Sequence, residues 1–327
     1  MHSAPLIDRI SILIVIVNYR TGGLVVDALR SLEPEIRANP GARVVVVDNQ
    51  SCDGSAEVMR EAIDRLGWTD WASVTVAPRN GGFAYGNNVP IRPALASKDP
   101  PAYYWLVNPD TQVRPGALRA LVDFMERHPS AGIAGGMLEE ADGVSWPFAF
   151  RFPSILSELE RGMRLSLVTT LLARWRVVRQ MDDREAEVDW LSGANLMVRR
   201  EVFDSVGLMD EGYFLYFEET DFCLQARRAG WASWYVPGGR VMHIAGQSTG
   251  LTGRNSTPSR MPTYWFNSRR RYFVKNHSRA YAIAADLVWI TSYMTYRMRK
   301  RIQRKRDFDP PRLLSDFIRN SSILNRS

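Results

Sequence analysis

Residues 103–111 read Tyr-Tyr-Trp-Leu-Val-Asn-Pro-Asp-Thr, an apolar run that stops abruptly at Asn108-Pro109-Asp110. Two earlier runs end the same way: residues 12–17 lead into Asn18-Tyr19, and residues 44–47 into Asp48-Asn49. An unbroken apolar run suits a strand buried on both faces, as in a parallel sheet. Open α/β sheets bind ligands just beyond the carboxyl ends of such strands. Three polar strand ends, separated by helix-length segments, therefore predict a nucleotide site on an α/β sheet.

Apolar residues recur at helical spacing over 24–32, after the first strand. Asp53-Gly54-Ser55 opens a second helix, with Val58, Ile63 and Leu66 expected in the core. Residues 73–77 read as a third strand, followed by a glycine-rich loop, Asn80-Gly81-Gly82-Phe83-Ala84-Tyr85-Gly86-Asn87-Asn88. After the strand at 103–107 come a helix over 117–127 and a return to the sheet at 132–137. This alternation predicts βαβ units and a mostly parallel sheet of about four or more strands. Beyond residue 140 the pattern loosens. Residues 151–179 are basic and apolar, 188–198 read as a strand broken by Ser192-Gly193-Ala194, and 212–229 pass from an aromatic segment into a helix. Residues 246–262 are rich in Gly, Ser and Thr and read as a flexible loop before a basic, aromatic, helical region.

A chain of 327 residues can bury a large core as one domain or two. Its net charge of +7 is local. Residues 297–306 hold seven basic side chains and no acid, which accounts for the whole excess. Cys52 and Cys223 provide neither a disulfide framework nor a metal spacing, so a reducing, cytosolic setting is expected. The run 10–17 is short and lacks a small-residue cleavage site, so it reads as a core strand and not a signal peptide. No stretch supplies the ~20 apolar residues of a spanning helix. The nearest, 280–296, is interrupted by Asp286, Thr291 and Ser292.

Asp110 at a strand end could ligate a divalent cation that bridges a nucleotide's phosphates. Asn, Pro and Asp are also common turn formers, so a plain turn is the alternative. Tyr19 could stack on a base, and Asp48 could accept a hydrogen bond from a pyrimidine N–H; strand capping and Asx-turns would also use these residues. The 80–88 stretch offers backbone freedom where a chain must pass close to a ligand, yet it matches neither a phosphate loop nor a dinucleotide fingerprint. In Tyr213-Phe214-Leu215-Tyr216-Phe217-Glu218-Glu219-Thr220-Asp221, three carboxylates follow five apolar or aromatic residues. Crowded carboxylates near low-dielectric walls raise one another's pKa, which suits a general base. They would equally suit a helix N-terminus, with Asp221 serving the helix. His243 is a candidate metal ligand, or else a structural histidine.

These segments resemble the family 2 glycosyltransferases, in particular their bacterial rhamnosyltransferase-like members. The matching pieces, over residues 10–250, are Val-Asn-Tyr after strand one, Val-Asp-Asn-x-Ser-x-Asp-Gly at 47–54 and Asn-x-Gly-Phe-Ala-x-Gly-Asn-Asn at 80–88. Asn-Pro-Asp at 108–110, Ser-Gly-Ala at 192–194, Tyr-Phe-Glu-x-x-Asp at 216–221 and His243 complete them. The resemblance implies a GT-A fold, a mostly parallel Rossmann-like sheet flanked by helices, with inversion at the transferred sugar's anomeric carbon. It implies a catalytic domain over 1–250 and a C-terminal region over 251–327. Asn18, Tyr19, Asp48, Asn80, Gly82 and Asn108 would meet a nucleoside-diphosphate sugar. Asp110, assisted by His243, would hold Mg²⁺ or Mn²⁺ on its diphosphate. By motif position Glu219 would be the base, with Glu218 as the competing assignment and Asp221 in the same cluster. Trp190, Ser192, Gly193 and Ala194 would lie near the acceptor. Two positions depart from the common pattern: Asn108 stands where many members carry a second aspartate, and glutamate replaces aspartate at 219.

Residues 280–296 place Ile283, Leu287, Ile290 and Met294 at helical spacing beside the basic run. Such a helix fits an anionic membrane surface, or it packs on the domain with a solvated charged face. A membrane surface suits a polyprenyl-diphosphate-linked or polysaccharide acceptor, at the inner face of the cytoplasmic membrane. The expected reaction is transfer of a sugar, best assigned as L-rhamnose from dTDP-rhamnose with UDP- and GDP-sugars as alternatives, in cell-surface glycan synthesis. Nucleic acid is not an expected partner, and a homodimer is left open. The rival classes are a catalytically silent nucleotide- or glycan-binding scaffold and a nucleotidyltransferase.

Overall fold

The computed structural model describes residues 11–140, 144–146, 148–243 and 259–325. The elements run β1 (Ile12–Asn18), α1 (Gly22–Ala38), β2 (Ala42–Asp48), α2 (Ser55–Leu66), β3 (Ala72–Val76), α3 (Gly82–Leu95), β4 (Tyr103–Val107), β5 (Thr111–Val113), α4 (Ala117–Arg127) and β6 (Ala131–Glu139). They continue through β7 (Ser145–Trp146), β8 (Phe148–Phe150), α5 (Ile155–Met163), α6 (Ser166–Leu171), β9 (Val178–Gln180), β10 (Ala186–Val188), β11 (Asn195–Arg199), α7 (Arg200–Val206) and α8 (Glu218–Arg228). Then come β12 (Ala232–His243), α9 (Thr263–Asn276), α10 (Arg279–Ile302) and α11 (Leu313–Arg319).

The four strands predicted from apolar runs lie side by side and parallel, in the order β3-β2-β1-β4. β1 and β4 are buried along their whole length, as their composition requires. The chain steps from β1 outward to β3, then returns to place β4 on the other side of β1. The strand order reverses there, and ligands bind in the crevice outside such a switch point. Beyond β4 the sheet is mixed. β11 pairs antiparallel with β4 and β6, and β12 runs parallel to β6 but antiparallel to β5 and β10.

Two local expectations need correction. The core face of α2 is Met59, Ala62 and Ile63, whereas Val58 is 50% and Leu66 38% exposed. The glycine-rich stretch is a loop only to Gly81; from Gly82 it is the first turns of α3. Its glycines permit close packing rather than mobility, since a Cβ at Gly86 would lie 2.6 Å from the Val17 side chain. Most of the predicted 246–262 loop lies outside the described residues.

The α10 aromatic face is core. Trp289 and Tyr293 are buried, and Trp289 stacks on Phe317 of α11 with ring centroids 3.9 Å apart. Among the described residues no helix is long and apolar enough to cross a membrane.

Candidate active site

Parallel pairing sets Asn18 directly opposite Asp48 at the ends of β1 and β2. Asn18 Nδ2 donates to Asp48 Oδ1 at 2.7 Å and to Ser51 Oγ at 3.2 Å, and Ser51 Oγ donates to Asp48 Oδ1 at 2.5 Å. Thr21 donates to Asn18 Oδ1 through both its backbone N–H and its hydroxyl. These bonds lock the two side chains at the strand ends. Tyr19 is half-buried beside them, with the Arg20 guanidinium 5.1 Å from its ring centroid.

Asn49 carries the site to the next element. Its Nδ2 donates to Asn80 Oδ1 and to the Gly82 carbonyl, both at 3.0 Å. Gly82 sits at φ +85°, and a Cβ there would lie 1.8 Å from the Phe214 carbonyl oxygen. That oxygen accepts the Phe83 N–H at 2.9 Å, so the start of α3 is clamped to the segment bearing the carboxylates. The Phe83 ring in turn fills the space over Gly193, where a Cβ would approach it to 2.8 Å. Gly82→Ala should therefore add both backbone strain and overlap, costing about 2–4 kcal/mol. Gly67→Ala, at φ +69° with nothing nearby, should show only the strain of about 1 kcal/mol. Urea midpoints of the two variants would check this, and equal losses would mean that the clamp yields freely.

Tyr216 and Phe217 both have φ +68°, a sparsely populated conformation for bulky residues, and they turn the chain into α8. Helix α9 holds that turn. Ser268 Oγ donates to the Leu215 carbonyl at 2.9 Å, and the Phe217 ring packs on Trp265 and Tyr272. Immediately afterwards Glu218 is buried and Glu219 partly exposed, each with one carboxylate oxygen buried and unpartnered. Burial raises the pKa of both, and the neighbouring Glu219 charge raises Glu218 further. Each therefore holds its proton more tightly than a free carboxyl does, Glu218 the more so. The nearby Gly193 and Thr220 backbone N–H groups offset part of the rise at Glu219, which also reaches solvent, so of the two it is the better placed to ionise. The structure does not bring Asp221 to this pair. It is buried against α9, accepting from Lys275 Nζ and Asn276 Nδ2 at 2.6 Å each.

At the β4 end, the Asn108 N–H donates to the Ala194 carbonyl at 3.3 Å, joining this corner to the Ser192-Gly193-Ala194 turn. β12 pairs with β5 so that His243 faces Thr111, next to Asp110. His243 Nε2 lies 3.2 Å from Asp110 Oδ1 and 3.4 Å from Asn108 Nδ2. Among the described residues no three or more His, Cys, Asp or Glu side chains form a metal cluster. One carboxylate beside one imidazole fits an ion that takes its remaining ligands from substrate phosphates and water. Trp190 flanks the turn, its ring stacked on Phe150 at 4.2 Å and its indole N–H donating to the Arg151 carbonyl.

Asn18–Asp48, Asn49–Gly82, Phe214–Glu219, Gly193–Ala194 and Asn108–Asp110–His243 thus form one continuous chain of contacts around the switch point. The sequence did not disclose Thr21, Lys275 and Asn276 as partners of site residues. Lys275 lies 54 residues from Asp221 with no pattern linking them.

A switch-point sheet with these side chains at its strand ends is the architecture of the GT-A glycosyltransferases. Among solved structures, GalNAc-T7 with UDP, GalNAc and Mn²⁺ has the same fold at TM-score 0.58 and 16% identity. The match covers 91% of this chain and 56% of that one, little more than half its length. Residues 9–260 match the family model described as "Glycosyltransferase like family 2", and the chain belongs to that family. It is 32% identical over 250 residues to the N-acetylglucosaminyl-diphospho-decaprenol L-rhamnosyltransferase of Mycobacterium tuberculosis, covering 72% of this chain and 77% of that protein. It is 26% identical over 238 residues to the dTDP-rhamnosyl transferase RfbF of Shigella flexneri, covering 71% of this chain and 68% of that one.

Proposed function

We propose that the protein transfers L-rhamnose from dTDP-rhamnose, with inversion, to a sugar hydroxyl on a polyprenyl-diphosphate-linked acceptor in cell-surface glycan synthesis. The observation that carries it is the pair of desolvated carboxylates, Glu218 and Glu219, linked through Phe214 and the start of α3 to the strand end bearing Asp48 and Asn49, with the Phe83 ring leading on to the 193–194 turn and the Asn108 corner. The donor sugar and the lipid acceptor follow the names of the two rhamnosyltransferases above. Asn18, Tyr19 and Asp48 would hold the nucleoside, and Asn80 with the Gly82 backbone would line the donor's path toward Glu219. Asp110 and His243 would hold Mg²⁺ or Mn²⁺, which supplies positive charge against the departing nucleoside diphosphate. Trp190 and the 192–194 turn would seat the acceptor sugar.

Ionised Glu219 takes the acceptor hydroxyl proton as that oxygen bonds to the anomeric carbon and the bond to the diphosphate breaks. Burial disfavours a competing charge on the neighbouring Glu218. The enzyme would work peripherally at the inner face of the cytoplasmic membrane, where a polyprenyl acceptor resides.

A donor panel tests this. Purified protein would be given dTDP-rhamnose, UDP-hexoses or GDP-hexoses, a lipid-diphosphate N-acetylglucosamine acceptor and Mg²⁺ or Mn²⁺. Nucleoside diphosphate release is expected with dTDP-rhamnose and should stop on adding EDTA. Asp110→Asn should lower kcat/KM by about 10²–10³-fold. Release of pyrophosphate would indicate a nucleotidyltransferase. Donor binding without turnover across the panel would favour a scaffold.

A further inference from the structure

The basic run and the apolar positions beside it do not all serve the fold. Among the described residues, seven large apolar side chains are more than half exposed, and six belong to one end of the molecule. Met294, Met298 and Ile302 lie on the outer stripe of the last turns of α10, with Ile302 75% exposed. Phe308 follows at 73%, and Leu167 and Leu171 project from α6, which buries none of its residues. α6 begins where α10 ends. Arg299 Nη2 donates to the carbonyls of Met163 and Arg164, two residues before α6, and Arg164 pairs with Asp309.

The charges at this end divide into two groups. Arg297 and Lys300 are paired with Asp307 and Asp309, and Arg299 is spent on the two carbonyls. Those three serve the fold. The side chains of Arg301, Arg304, Lys305 and Arg306 are exposed and make no hydrogen bond or ion pair among the described residues. A helix C-terminus favours some positive charge, but that effect fades within the last turn, and three of the four lie beyond it. Apolar side chains held out of the core beside unpaired cations match the boundary of an anionic bilayer, with apolar tips entering and cations on the headgroups.

We propose that α6, the last turns of α10 and residues 303–308 form a docking surface for anionic membranes, which holds the active site at the lipid-borne acceptor. It rests on the lipid-acceptor reading above and replaces the whole of 280–306 with a smaller surface, because the aromatic face of α10 is already used in packing.

Flotation of the purified full-length protein with phosphatidylcholine vesicles, with and without phosphatidylglycerol, tests this. Binding is expected only with phosphatidylglycerol and should weaken as salt rises. Arg304→Ala/Lys305→Ala/Arg306→Ala should lower partitioning by about a hundredfold, and Met298→Glu/Ile302→Glu by at least about tenfold. Both variants change exposed side chains, and far-ultraviolet circular dichroism should match wild type. Each should keep wild-type transfer to a short-chain, water-soluble acceptor and lose transfer to a long-chain acceptor in vesicles. Equal binding to both vesicle types, no binding, or variants that float like wild type would overturn the docking surface. So would a dimer in solution that Met298→Glu/Ile302→Glu dissociates, since the stripe would then be a self-association face. Selective flotation without transfer to any acceptor would leave the surface standing and remove the transferase reading alone.

Discussion

Glu219→Gln should lower kcat by about 10³–10⁴-fold while leaving donor affinity unchanged, because only the proposed proton acceptor is removed. The substitution keeps the side chain's length and polarity beside the Gly193 backbone, so the fold should survive. Glu218→Gln should behave oppositely. Burial and the Glu219 charge both disfavour ionisation of Glu218, so a neutral amide is well tolerated there and kcat should stay within about tenfold of wild type. The two also separate in stability. A carboxyl whose folded pKa is raised above its unfolded value costs nothing below the unfolded value, and it destabilises progressively as pH climbs through the folded one. Glu218→Gln should therefore melt higher than wild type at neutral pH, with the advantage vanishing near pH 4. For wild type, kcat should fall on acidification through the raised Glu219 pKa, above the ordinary carboxylate range. Turnover and melting profiles of both variants against pH would decide. Loss of activity in Glu218→Gln with survival in Glu219→Gln would exchange the two roles.

The strand-end half of this site was legible because it is local in sequence. An apolar run ending in Asn18, Asp48 or Asn108-Pro109-Asp110 marks a strand end by itself, and parallel register then brings Asn18 to Asp48 without further information. The carboxylate half was legible as composition but not as geometry. Glu218, Glu219 and Asp221 look equivalent in the sequence. What separates them is the phase of α8 and the partners across it: Gly193 on one side, Lys275 and Asn276 on the other. The glycines of 80–88 misled for a related reason. They predict freedom, but in the folded chain they remove side chains where α3 meets Val17 and Phe214. Close approach between distant segments leaves the same sequence mark as flexibility. The aromatic face of α10 shows the converse ambiguity, since a stripe suited to lipid is equally suited to the α5 and α11 surfaces it covers.

The largest loss of stability should come from Arg269→Met, far from the reacting atoms. Arg269 is buried in α9, bonded through Nη2 to Glu158 of α5 at 2.8 Å and through Nη1 to Asp286 of α10. Asp286 is fully buried and, among the described residues, otherwise accepts only the Ser322 N–H at 2.7 Å. Removing the guanidinium leaves that carboxylate without a countercharge in the interior, which costs about 3–5 kcal/mol. Glu158 still has Arg161, so the deficit falls mainly on Asp286, and Arg269→Met/Asp286→Leu should recover part of the loss. The consequence for function runs through α9. The helix that carries Arg269 also presents Ser268 to Leu215, and Lys275 and Asn276 to Asp221, and so forms the back wall of the strained turn before Glu218. If the region after residue 250 were a separable tail, Arg269→Met would unfold in two steps and keep its turnover through the first. A wall that holds Tyr216 and Phe217 in left-handed conformations instead couples the two regions, because without it the strain at those residues is released and Glu218 and Glu219 move. Urea unfolding of Arg269→Met should thus remain a single transition at a lower midpoint, with transfer activity lost in parallel with the fold.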